Sequence, residues 1–481
     1  MIQLKNTVDN PKGICAYLLF EEDYEEKQQS SLFTELKNKD VFSGKKDSFY
    51  TTSFIEDHEL KTICLLGLGK RKELTEEALR MAVAKATKQA NKLKERELTF
   101  FLDQVFMKDK WIRAIGEGLT LAQYAFDKYL SDKKEKTLDN IVLAIPAAPS
   151  FKDALDEGIF LGAMTIEARE LTNEPGDVVT PVYLANKAKE LGKGAGFSTT
   201  VYDKKAIEKL KMNAFLAVAS GSSFEPVLIV MEYTGNTDGE TLGLVGKGIT
   251  FDTGGLSLKP ANSMSTMQGD MGGAASVLTA MGAIAEQKLP INVTAVIAAC
   301  DNAVSGKSYR PNDILTSRSG KTIFVANTDA EGRLTLIDAV DYILTEKKVD
   351  YIVDIATLTG AAEIALGQKI APTVTNDEAF YKKLKKASKV TGERTWELPH
   401  DEDYLELIKS PYADLTNSGG RFAGTITAGL FVGAVVGETP WIHIDIAGPS
   451  WAEKDTGYFS KGATGFGTRL LYQLAKEMSN G

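Results

Sequence analysis

Short, unbroken apolar runs alternate with longer amphipathic stretches through the first 145 residues, as in Ile63-Cys64-Leu65-Leu66-Gly67 and Ile141-Val142-Leu143-Ala144-Ile145. Runs without polar alternation predict strands buried on both faces. Between them Leu79, Val83, Ala86, Ala90 and Leu93 recur at spacings of 4, 3, 4 and 3, the apolar stripe of a long helix that starts near Thr75. Lys85, Lys88, Lys92 and Lys94 fall on its opposite face, which is expected to be solvated. A Pro/Ala/Ser punctuation at 146–150 leads into a helical stretch over 151–171, closed by Asn173-Glu174-Pro175-Gly176. Beyond it the pattern predicts strands at 215–218, 227–231, 242–245, 293–298, 351–355 and 441–446, with helices at 273–286 and 334–344. Alternating strands and helices imply an α/β fold. The expected organisation is a smaller N-terminal α/β domain (1–149), a linker helix (150–172) and a larger C-terminal α/β domain (173–481) with a mainly parallel central sheet. No internal repeat or low-complexity tract interrupts it.

Composition narrows the chemistry. The 481 residues are 43% hydrophobic and carry 56 Lys plus Arg against 65 Asp plus Glu, a formal charge of -9 that argues against broad attraction to nucleic acid. The longest uncharged apolar stretch, 422–437, contains Thr425 and Thr427 and is shorter than the ~20 residues a membrane span needs. The first twelve residues lack the apolar region of a secretory signal, so the expected location is the cytoplasm. Three scattered cysteines (Cys15, Cys64, Cys300) offer neither a disulfide framework nor a Cys-x-x-Cys zinc site and are expected to be core thiols. Histidine excludes more: only His58, His400 and His443 occur, with no H-E-x-x-H or other close pair. Any catalytic metal must therefore be held mainly by carboxylates, with room for an unusual nitrogen donor.

Two clusters carry such groups. The first, GKGITFDTGGLSLKP at 246–260, follows a predicted strand and sets Lys247, Asp252 and Lys259 among four glycines. It lacks the G-x-x-x-x-G-K-[ST] spacing of a phosphate-binding loop, and no helix opens directly after it. Asp270 lies just before the 273–286 helix, where it could simply cap it. The second cluster is Asn327-Thr328-Asp329-Ala330-Glu331-Gly332-Arg333-Leu334, between a strand-like 322–325 and a helix. Glu331 and Arg333 could there be first-turn residues or a local ion pair. Taken together, Asp252, Asp270, Asp329, Glu331 and Lys247 form the histidine-free ligand set that the composition demands. Crowded carboxylates raise one another's pKa unless cations neutralise them. A lysine can serve as ligand only by losing its proton, at a cost of roughly 4 to 5 kcal/mol that a metal can supply. A glycosidase pair made of Asp329 and Glu331 is disfavoured, because residues two apart do not readily flank a sugar bond at the ~5–9 Å such chemistry needs.

N-T-D-A-E-G-R-L resembles the signature octapeptide of the leucyl (cytosol) aminopeptidases and is complete. Segments 245–259, 270–275, 356–361, 426–429 and 445–448 resemble that family in the same order, so that the similarity covers about residues 165–481. It implies that the C-terminal domain is the catalytic domain of an exopeptidase with two divalent ions, zinc or manganese, per chain. By this resemblance Lys247, Asp252, Asp270 and Glu331 hold the tighter ion, and Asp252, Asp329 and Glu331 the exchangeable one. Lys259 contacts the scissile carbonyl and Arg333 holds a bicarbonate acting as general base. The Leu358 carbonyl orients the substrate, while Met267, Thr357, Gly360, Ala447 and Ser450 line the pocket for its first side chain. Such a pocket favours Leu or Met on short peptide substrates. The resemblance further implies a homo-hexamer. One departure is Gln268, where many relatives carry a basic residue. A binding or scaffold protein that had lost catalysis is disfavoured, since every ligand and both cations are present.

Overall fold

The computed structural model describes residues 1–26, 35–36, 38–56, 58–133 and 135–479. They gather into two compact units, Met1–Ala163 with Lys454–Ser460, and Met164–Glu453 with Lys461–Gly481.

The first unit holds β1 (Ile2–Lys5), β2 (Ile14–Leu19), β3 (Phe49–Glu56), β4 (Glu59–Gly67), β5 (Glu97–Phe101) and β6 (Asn140–Ala144), in the sheet order β1-β6-β5-β2-β4-β3. All neighbours run parallel except β3 with β4. Helix α1 (Glu76–Lys92) is capped by Thr75, whose hydroxyl accepts from the Ala78 amide at 3.2 Å, and Glu76 and Glu77 complement its N-terminal dipole. Leu79, Val83, Ala86 and Ala90 are fully buried against the sheet core, each of the two larger ones contributing about 1.5–3 kcal/mol of transfer free energy. Leu93 departs from the expected stripe. It lies one residue past the helix end and is exposed. Helix α2 (Asp109–Leu121) packs beside α1, and α3 (Lys152–Asn173) ends at the residue that opens the Asn-Glu-Pro-Gly stop.

The second unit is built on β7 (Ser198–Tyr202), β8 (Val227–Thr234), β9 (Thr241–Asp252), β10 (Asn292–Asn302), β13 (Tyr351–Ala356), β14 (Ile370–Thr375), β15 (Arg394–Glu397) and β17 (Trp441–Asp445). Their sheet order is β15-β14-β17-β13-β9-β10-β8-β7. The central block β17-β13-β9-β10 is parallel, while β7/β8, β8/β10 and β14/β17 are antiparallel. Short strands β11 (Ile314–Thr316), β12 (Thr322–Phe324) and β16 (Leu415–Thr416) form a separate sheet. The expected strand at 215–218 is instead part of helix α4 (Asn213–Ala219), with Ala214, Phe215, Val218 and Ala219 buried. Four apolar residues carry no period that separates a strand from a buried helix.

Helices α5 (Gly272–Glu286) and α6 (Gly332–Tyr342) pack on β9. Gly246 and Gly273 permit α5 to approach at backbone distance: a Cβ on Gly246 would lie 2.8 Å from the Ala274 Cα, and one on Gly273 would lie 2.2 Å from the Ile355 carbonyl oxygen. Helices α7 (Gly360–Leu366) and α8 (Gly424–Gly433) follow, α8 taking up most of the long uncharged stretch with its side chains buried. No helix among the described residues is long and apolar enough to cross a membrane.

Candidate metal centre and substrate pocket

The carboxyl ends of the central parallel strands bring the two sequence clusters together, as strand ends in open α/β sheets commonly do. Lys247 lies on β9, nearly fully buried, and its Nζ sits 2.7 Å from Asp270 Oδ1, 2.8 Å from Glu331 Oε1 and 2.9 Å from the Thr357 carbonyl oxygen. Its stem passes directly over Gly332, where a Cβ would stand 2.4 Å from the Lys247 Cε. Asp252 closes β9. Its Oδ1 accepts from the Gly254 amide and from Asn302 Nδ2, both at 2.8 Å, and its Oδ2 is 2.8 Å from Lys259 Nζ. Lys259 also meets Asp329 Oδ1 at 2.5 Å. Oxygens of Asp252, Asp329 and Glu331 all lie within 4.8 Å of one another.

Asp270 does not cap α5. It sits in a short 3-10 turn, Met267–Met271, and its Oδ1 accepts from Thr357 Oγ1 at 2.8 Å as well as from Lys247. Glu331 is the residue preceding α6 but makes no side-chain cap bond; its carboxylate turns to Lys247 instead. Arg333 is buried in the first turn of α6.

The signature loop is held by two residues that sequence reasoning did not single out. Asn417 accepts from the amides of Ala326 (2.8 Å) and Asn327 (3.2 Å) and donates to the carbonyls of Asn327 (2.6 Å) and Ala330 (3.2 Å). Asn302, besides Asp252, donates to the Thr328 carbonyl at 3.1 Å. A polar residue at the carboxyl end of an apolar run was the available signal for Asn302. Nothing local in the sequence marks Asn417, whose partners lie about ninety positions away.

Around this cluster, Thr357, Leu358 and Gly360 follow β13, Met267 stands three residues before Asp270, and Ala447 and Ser450 follow β17. All six are partly or fully accessible. A Cβ on Gly360 would meet nothing within 4 Å, so this wall is open space.

Burial dominates the electrostatics. It raises the carboxyl pKa values of Asp252, Asp270 and Asp329; neighbouring carboxylates add to this, while Lys259 and Lys247 oppose it. For the two lysines burial acts downward but is outweighed, so that Lys247 is raised by Asp270, Glu331 and Asp252, and Lys259 by Asp252 and Glu331. Desolvation lowers the Arg333 guanidinium to about 10, against the favourable charges of Glu331 and Asp445, and it remains a cation at neutral pH. Asp270 Oδ2, Glu331 Oε2 and Arg333 Nε are buried without a hydrogen-bond partner. Unpaired buried carboxylate oxygens are costly, and here they point to a cation. An oxygen-rich set with one potential nitrogen donor suits a divalent ion.

An α/β fold presenting clustered carboxylates with accessible residues beside them at its strand ends has the form of a metal-dependent hydrolase. Residues 166–472 match the catalytic domain of the cytosol aminopeptidase family, and residues 21–133 match the N-terminal domain of the same family. The chain belongs to the cytosol aminopeptidase family, which makes it a metal-dependent aminopeptidase. It is 46% identical over 449 residues to a Clostridium perfringens protein named "Probable cytosol aminopeptidase", covering 92% of this chain and 91% of that one. A Treponema denticola protein of the same name is 43% identical over 484 residues, covering 98% of this chain and 100% of that one. Among solved structures, the bottromycin maturation enzyme BotP in complex with Mn superposes with a TM-score of 0.87 at 29% identity, covering 97% of this chain and 99% of BotP.

Proposed function

We propose that the protein uses two divalent ions per chain, zinc or manganese, to remove apolar N-terminal residues such as Leu or Met from short peptides. The observation that carries this reading is the convergence of Asp252, Asp329 and Glu331 within 4.8 Å, joined by Lys247 and Asp270. Lys247, Asp252, Asp270 and Glu331 would hold the tighter ion, and Asp252, Asp329 and Glu331 the exchangeable one. When bound, such a pair supplies Lewis acidity and activates water at neutral pH. The manganese complex of the BotP neighbour supports a divalent ion of this kind.

Lys259, only partly buried and spanning Asp252 and Asp329, would hydrogen-bond the scissile carbonyl and stabilise the charge that develops on it. Buried Arg333, whose Nε has no hydrogen-bond partner, would offer its guanidinium to an anion, and the family resemblance implies a bicarbonate that would take the proton of the attacking water. The Leu358 carbonyl would accept from the substrate's free α-amine. Met267, Thr357, Gly360, Ala447 and Ser450 would enclose its first side chain, and their largely uncharged surface leaves an acidic side chain without a partner. The reading extends, on the resemblance alone, to a homo-hexamer acting in the cytoplasm on peptides, with neither membrane nor nucleic acid as partner. Elemental analysis of dialysed, active protein tests it: two equivalents of zinc or manganese per chain are expected, and activity with no bound metal would reject it.

A further inference from the structure

Asp445 is the last residue of β17 and is fully buried. Its register partner on the adjacent parallel strand is Ala356, the last residue of β13, so the two strands release their loops side by side. The carboxylate is filled by donors from both loops. Oδ1 accepts from the amides of Leu358 (3.1 Å), Thr359 (3.4 Å) and Ala447 (3.2 Å), and Oδ2 accepts from Thr359 Oγ1 at 2.6 Å. The 357–359 loop is the one whose Thr357 carbonyl meets Lys247 and whose Thr357 hydroxyl meets Asp270. Thr359 then caps α7, accepting from the Ala362 amide at 3.0 Å. One step behind on the same face of β17, His443 Nδ1 contacts Asp354 Oδ1 at 2.5 Å, while Trp441 Nε1 donates to Asp354 Oδ2 at 2.7 Å, fixing the β13/β17 pairing below. A buried carboxylate is expensive to desolvate. Here every donor it recruits belongs to the segments that bound the pocket.

We propose that Asp445 is a positioning residue for the aminopeptidase reaction: its single carboxylate ties the 357–359 loop to the 445–447 turn and so sets the spacing of the pocket walls and the place of the Leu358 carbonyl. This rests on the pocket assignment above. Asp445 bonds neither the metal ligands nor Lys259 directly, and its charge also favours the Arg333 guanidinium. Its loss should therefore spare metal content, and the displaced pocket should show in KM whereas an effect through Arg333 should show in kcat.

The test compares Asp445→Asn, Asp445→Ala, Thr359→Val and Thr359→Ser with wild type, measuring metal stoichiometry, melting temperature, and kcat and KM separately for Leu- and Ala-p-nitroanilide. Asp445→Asn should keep two metal equivalents and a near wild-type melting temperature, yet lose roughly 10- to 100-fold in kcat/KM for the Leu substrate, with a raised KM, as expected when an oriented group is displaced by about 1 Å. Its preference for Leu over Ala should shrink. Thr359→Val should shift KM in the same direction, and Thr359→Ser should recover it. If Asp445→Ala does not fold, the Asn and Thr359 variants carry the test. Unchanged kinetics in Asp445→Asn, or a loss that simply follows lost metal, would overturn the proposal. Fully metallated wild type that leaves both p-nitroanilides intact would instead defeat the aminopeptidase reading on which it stands.

Discussion

Lys247 is held by two carboxylates and a carbonyl, and its ammonium clings to its proton against the cost of burial. To serve as a nitrogen ligand it must give that proton up. Asp252, Asp270 and Asp329 have raised pKa values for the opposite reason, burial of their charged forms, and they too hold protons to higher pH than in water. A divalent ion competes with protons at all four groups, so affinity should rise with pH and binding should release protons. Calorimetric titration with Mn²⁺ between pH 6 and 8, in two buffers of different ionisation enthalpy, should show tighter binding at the higher pH and net proton release; affinity independent of pH would count against Lys247 as a ligand. At the same scale, Asp329→Ala and Glu331→Ala should each lose bound metal and activity by roughly a thousandfold, the equivalent of about 4 kcal/mol of transition-state stabilisation. Lys259→Ala should lower kcat with metal retained, as for a group acting mainly on the transition state. Loss of metal in that variant would show that Lys259 organises the ligands rather than the reaction.

Between residue and fold, the elements decide how the ligands meet. Gly332 opens α6 where the Lys247 stem crosses it, and an added methyl would overlap the stem at 2.4 Å. The far end of a lysine could ordinarily move aside, but this one is fixed by three partners. Gly332→Ala should therefore leave secondary structure intact by circular dichroism while cutting metal affinity and activity at least tenfold; wild-type metal binding would mean that the crossing is slack. The same elements show how much was legible beforehand. Long buried strands such as β9 and β10 announce themselves by unbroken apolar runs, and α1 by its 3.6-residue stripe and Thr75 cap. The four-residue run at 215–218 lacks the length to distinguish α4 from a strand, and the apolar spacing of α1 continues one residue past the helix end, onto exposed Leu93. At the site, the charged residues of both clusters stood out because carboxylates and lysines are conspicuous among glycines. The neutral residues that orient them did not. Asn417 reaches the signature loop through tertiary packing alone, and Asp445 serves a loop nearly ninety positions earlier in the chain. Parallel strands connected by long crossovers place such partners side by side without leaving a local pattern.

For the whole molecule, we propose a homo-hexamer on the family resemblance alone. Light scattering of the purified protein should report six chains per particle; a stable, fully active monomer would remove the hexamer and leave the chemistry untouched. The two units meet different constraints, the first needing only its six-stranded core and the second a core whose strand ends also carry four buried or half-buried carboxylates. Lys247 and Lys259 offset only part of that concentration of carboxylates, and a site of this kind is suited to binding further cations. The most direct test is hydrolysis of Leu-, Met-, Asp- and N-acetyl-Leu-p-nitroanilide by the Mn²⁺-loaded protein from pH 6 to 10. Leu and Met substrates should be cleaved with kcat/KM at least about tenfold above Asp, since burial of an apolar side chain is worth ~1.5–3 kcal/mol, and their rates should rise from pH 7 into the mildly alkaline range as the substrate amine becomes neutral. The acetylated substrate should be inert. Faster cleavage of the Asp or the acetylated compound would contradict the account.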